Sequence, residues 1–117
     1  MKKIKVILSP EAKEVYEFLN RESPNLKFER TILTALHNKI ERIKNDIHYG
    51  QPIAKNLIPQ EYFVKYGITN LFRVELPNYW RMLYTLSNGE SEIEIIAFVL
   101  DLVDHKVYDK KFGYKKN

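Results

Sequence analysis

The chain has 117 residues, a formal net charge of +4 and 44% hydrophobic residues, a size that suits one domain around one core. It contains no cysteine, which excludes disulfides, thiolate metal sites and cysteine nucleophiles. Its N-terminal apolar run, Val6–Leu8, is too short for a secretory segment or a membrane span, so a soluble cytoplasmic protein is expected.

In chain order, Lys3–Ser9 alternates and then turns apolar, which predicts a strand near 3–8. Ser9 followed by Pro10 is a helix start, with Ser as N-cap and Pro at the first helical position. The helix predicted from there runs over 10–22, with Ala12, Val15, Tyr16 and Leu19 at helical spacing. Ser23-Pro24-Asn25 interrupts it. A second helix is predicted over Leu26–His48, striped by Phe28, Ile32, Leu33, Leu36, Ile40, Ile43 and Ile47. Gly50, Gln51 and Pro52 stop it. His37 and His48 stand alone on this helix and read as surface or boundary residues, since no HxxxH or carboxylate–histidine pair supports a metal site. The following stretch reads as an irregular connector in which Pro59 opens one short helical turn, ended by Gly67.

Residues 71–100 carry three strand-like runs, 71–76, 79–86 and 92–100, broken at Pro77-Asn78 and at Ser87–Glu90. Short connections of this kind make an antiparallel meander. Strand, helical hairpin and meander together predict an α+β fold with the helices on one face of the sheet. Phe72, Val74 and Leu76 alternate with Arg73 and Glu75, and Trp80, Met82, Tyr84 and Leu86 alternate with Tyr79, Arg81, Leu83 and Thr85. The uniformly large apolar sets should face the helices. Arg73, Glu75 and Arg81 should then lie on an open, hydrated face.

From Asp104 to Asn117 there are five lysines and two aspartates, so +3 of the +4 lies there. A basic segment suits a polyanion such as nucleic acid, or an acidic protein partner, and reads equally as a solvated terminus; on the first reading Lys106, Lys110, Lys111, Lys115 and Lys116 are candidate RNA contacts. Tyr114 is a candidate stacking residue. Asp104 reads equally as the N-cap of a terminal helix opened by His105.

The element order, the run NLFRVELPNYWRMLYTL at 70–86 and the segment DHKVYDKKFGY at 104–114 resemble the RelE/ParE superfamily of toxins from toxin–antitoxin systems. The resemblance implies a single toxin domain over 1–117, acting as a metal-independent endonuclease that cuts mRNA in the ribosomal A site. It implies no cofactor, and a cognate antitoxin as partner that binds in a joint oligomer. Residue by residue, it assigns Arg81 to the scissile phosphate, Arg73 and Glu75 to the preceding strand of the same site, and His105 and Tyr108 to proton transfer and base stacking. Glu75 departs from a basic residue in the family's pattern; it suits a general base or, alternatively, a simple pair with an arginine. Leu102, Val103 and Asp104 stand where RelE itself has an arginine before its terminal tyrosine. Two alternatives share the fold: a ParE-like protein that binds and poisons DNA gyrase, and an interaction domain without catalysis.

Overall fold

The computed structural model describes residues 3–88 and 94–113. Strand β1, Lys3–Leu8, exposes Lys3, Lys5 and Ile7 and half-buries the residues between them. Helix α1, Pro10–Glu22, starts as expected, with the buried Ser9 Oγ accepting the Ala12 N–H at 3.0 Å. Helix α2, Lys27–Asn45, turns Ile32, Leu33, Leu36 and Ile43 inward. It ends three residues short of the expected His48. The reason is local: Asp46 is extended, and its carboxylate accepts the His48 N–H at 3.0 Å, a side-chain turn that competes with continued helix.

Gln51–Pro52 forms a two-residue strand, β2, at the sheet edge, where proline leaves no ladder bond unmade. The turn expected after Pro59 is a helix, α3, Gln60–Tyr66, closed by Gly67 in the left-handed region at φ 60°. Three longer strands follow: β3, Phe72–Glu75; β4, Arg81–Asn88; and β5, Glu94–Val103. Helix α4, His105–Phe112, has Asp104 as its N-cap, with the carboxylate accepting the Val107 N–H. Of the second predicted turn, Ser87 and Asn88 belong instead to β4, and 89–90 lie outside the described residues.

The sheet order is β1-β5-β4-β3-β2. Neighbours are antiparallel except β1 and β5, which run parallel with Lys3 opposite Glu94 and Leu8 opposite Val99. Leu83 opposes Asp101 and Tyr84 opposes Val99, so β5 carries a bulge between them. The fold is therefore α+β, with the α1–α2 hairpin on one face of the sheet. There Ala12, Leu36 and Ile43 pack against Phe72, Val74, Leu76, Met82, Tyr84 and Leu102, the face predicted by alternation. Trp80 joins the hairpin side beside Leu19, Ile32 and Leu33.

The opposite face is not open. The segment through α3, together with α4, covers much of it, and Ile58, Tyr62, Ile68, Leu71, Leu83, Val103 and Tyr108 form a second core there. Strand alternation shows only that Leu83 and Arg81 share a face. It does not show that short helices from the connector and the C-terminal segment bury part of that face. Among the described residues, no helix is long and apolar enough to cross a membrane.

Candidate functional site

Arg73, Glu75 and Arg81 meet at the end of the β3–β4 hairpin, where Glu75 pairs directly with Arg81 across the ladder. Glu75 Oε1 lies 3.5 Å from Arg73 Nε and 3.6 Å from Arg81 Nε. These are ion pairs slightly too long for good hydrogen bonds. Two guanidiniums against one carboxylate leave the cluster net positive. The Arg81 side chain is only 16% exposed and that of Arg73 25%, while that of Glu75 is 63% exposed. The expectation of hydrated arginines is thus corrected, and the cause is α4.

Tyr108, on the inner side of α4 and 3% exposed, lies over both arginines. Its ring centre is 5.4 Å from Arg81 Cζ and 5.9 Å from Arg73 Cζ, within range of a cation–π contact. The Tyr108 hydroxyl accepts from Arg73 Nη1 at 3.1 Å, and Phe112 stacks on the same ring at 4.3 Å between centroids. Tyr108 is a positioning residue packed on the arginines, and its ring is covered, so it is not presented for base stacking as the resemblance implied.

The two arginines are held differently. Arg73 is anchored by Tyr108 and by Gln51, whose Oε1 accepts from Nη2 at 2.5 Å. Arg81 donates one long bond, 3.4 Å, from Nη1 to the Trp80 carbonyl, and among the described residues its buried Nε has no hydrogen-bond acceptor. Arginine carries five donors, and among the described residues the one hydrogen bond from Arg81 leaves by Nη1. Cavities of about 310 and 260 Å³ flank Arg73, both lined by Gln51. The first reaches Ile53, Leu57 and Tyr108, and the second reaches Lys39, Tyr49 and Glu75. A larger hollow of about 320 Å³, between α1, α3 and α4, contains neither arginine. Its Glu11–Lys65 and Glu61–Lys111 pairs neutralise one another.

His105 is the first residue of α4, the helix that lays Tyr108 on the arginines. Lys106 and Lys110 are exposed on α4. Lys111 turns the other way, to Glu61 at 3.0 Å and over the Tyr62 ring, so its expected role as an RNA contact is replaced by a tie between α4 and α3. Tyr114, Lys115 and Lys116 lie outside the described residues.

Gln51 was not legible as a site residue. It reads as part of the stop signal of α2, and a two-residue edge strand has no periodicity to detect. Tyr79 was placed in the strand, but it sits in the turn, where Asn78 and Tyr79 both have positive φ, 60° and 64°. The Pro77 carbonyl accepts the Trp80 N–H at 3.3 Å to close that turn. No protein-family model, no curated protein and no solved structure matches the chain.

Proposed function

We propose that the chain is the toxin of a toxin–antitoxin pair, a RelE/ParE-like, ribosome-dependent mRNA endonuclease of the cytoplasm. The observation that supports this reading is Arg81: a guanidinium in a net positive cluster, whose Nε, 3.6 Å from Glu75, has no hydrogen-bond acceptor among the described residues. Buried donors of this kind call for a partner, and a phosphate oxygen suits a planar guanidinium best.

In the proposed reaction the RNA 2′-OH attacks the adjacent phosphorus, and the P–O5′ bond breaks. This leaves a 2′,3′-cyclic phosphate and a 5′-hydroxyl. Glu75, the most exposed member of the cluster, accepts the 2′-OH proton once a phosphate oxygen displaces it from the arginines. Arg81 and Arg73 hold the charge that grows on the phosphorane oxygens. His105, assigned by the resemblance, donates the proton to the departing 5′-oxygen. The cognate antitoxin is the protein partner, and the exposed Lys106 and Lys110 face the RNA or ribosome.

A second reading is favoured by the same cluster. Glu75 between two arginines under Tyr108 is also a structural ion cluster, partly neutralised by its own carboxylate, as an interaction domain without catalysis would have. Pulsed expression followed by mapping of mRNA 5′ ends separates the two. Cleavage within translated codons is expected from the wild type, and its loss, by on the order of 100- to 1000-fold, from a folded Arg73→Ala/Arg81→Ala variant. Equal cleavage by that variant, or no cleavage by the wild type, removes the nuclease reading.

A further inference from the structure

Lys39, on α2, is half-buried, and Tyr49 sets its position. Its Nζ donates to the Tyr49 hydroxyl at 3.1 Å and lies 5.7 Å from the centre of that ring. A phenol hydroxyl is a neutral acceptor, so this contact orients the ammonium without cancelling its charge. Among the described residues no carboxylate lies within ion-pair distance of Lys39, whereas Lys44 on the same helix pairs with Glu41 at 3.2 Å. An ammonium has three donors, and Tyr49 takes one of them. Lys39 also lines the cavity of about 260 Å³ that β3 lines with Arg73 and Glu75. Two cations against one carboxylate leave that cavity net positive, and its other walls are neutral. Arg81 does not line it, but Glu75 joins the two places, lying 3.5 Å from Arg73 Nε and 3.6 Å from Arg81 Nε.

We infer that Lys39 binds a second phosphate of the RNA strand, adjacent to the phosphate held by Arg81. This rests on the nuclease reading and adds to it a subsite on α2 that sets the path of the strand. An ammonium already held by Tyr49 loses less side-chain freedom on binding than a free lysine does. One phosphate contact lets the strand pivot. A second fixes its register without reading sequence, and so lines up the 2′-OH with the bond that breaks.

The test uses the full chain and ribosomes programmed by an mRNA with a 2′-O-methyl sugar at the scissile position, so that binding proceeds without cleavage. Two further mRNAs carry an uncharged methylphosphonate on the 5′ or the 3′ side of the scissile linkage. The wild type should bind one of these roughly 10- to 100-fold more weakly than the all-phosphate mRNA. Lys39→Gln should lose about the same factor on the all-phosphate mRNA and nothing more on that methylphosphonate. Lys39→Arg should restore both the affinity and the discrimination. A wild type that binds all three mRNAs equally overturns the inference, whatever the variants do. If Lys39→Gln binds as tightly as a wild type that cleaves unmodified mRNA, the phosphate role is wrong and the nuclease reading stands. If Lys39→Gln binds weakly but discriminates as the wild type does, Lys39 serves the fold or a ribosomal contact, and the inference is overturned. If the wild type neither binds nor cleaves, the nuclease reading falls and takes the inference with it.

Discussion

Tyr84 and Arg81 lie three residues apart on β4, so they point to opposite faces of the sheet, and each is expected to matter to stability for a different reason. The fully buried Tyr84 hydroxyl donates to the Ile47 carbonyl at 2.8 Å and accepts the Gly50 N–H at 2.9 Å. Burial pushes its phenol pKa up. Tyr84→Phe leaves both backbone groups unsatisfied and is expected to cost about 1–3 kcal/mol in urea unfolding. Gly50 is required for the same contact: a Cβ there would stand 2.7 Å from Tyr84 Cε1. Arg81 would be nearly neutral to folding if it were hydrated. Because it packs beneath Tyr108, Arg81→Ala is expected to destabilise by about 1 kcal/mol, through lost packing and a lost cation–π contact, measurable by thermal melting. A melt unchanged by the substitution would mean that the Tyr108 ring does not depend on it.

At the scale of elements, α4 decides whether there is a site at all. It is an eight-residue helix, too short to persist in isolation, and it is held by Asp104 at its start, Tyr108 and Phe112 on its inner side, and the Lys111–Glu61 pair. Asp104→Ala removes the acceptor for the Val107 N–H and is expected to cost about 1 kcal/mol, with Asp104→Asn retaining most of it. Circular dichroism and urea titration check the loss. If the two substitutions unfold alike, the cap is not what anchors the helix. The hairpin turn has the opposite character. Its strained Tyr79 is expected to make Tyr79→Gly more stable than the wild type by about 0.5–1 kcal/mol, read from the same titration.

At the scale of the whole molecule, Glu11 ties α1 to α3. Lys65 Nζ donates to Glu11 Oε1, and the Tyr66 hydroxyl donates to Oε2 at 2.5 Å. The hydrogen bond from Lys65, then that from Tyr66, lowers the Glu11 carboxyl from 4.5 to about 2. A lowered folded-state pKa means that the folded chain releases this proton more readily than the unfolded chain. The contribution is therefore whole above pH 4.5 and fades as pH falls to about 2. The expected outcome is a wild-type unfolding midpoint that drops more steeply across that window than the midpoint of Glu11→Gln. The difference should be small because the pair is exposed, and smaller still in high salt. Parallel acid titrations of the two proteins would settle it, and equal slopes would exclude the tie.

The amino-acid sequence by itself determined the parts that depend on neighbours in the chain. Ser9-Pro10, Asp104 and Gly67 marked helix ends, because capping is a contact over a few residues. Alternation separated Phe72, Val74, Met82 and Tyr84 from Arg73, Glu75 and Arg81, because the strand period is two. Only the tertiary structure decided what covers each face. That Tyr108 rests on Arg73 and Arg81, that Gln51 reaches Arg73 from an edge strand, and that β1 lies parallel to β5 are contacts between segments far apart in the chain. No local pattern encodes them. The contacts on the face opposite the helical hairpin arise because Leu83 and Val103 are apolar and need a cover. The connector and the C-terminal helix supply that cover, and in doing so they place a buried tyrosine against the two arginines.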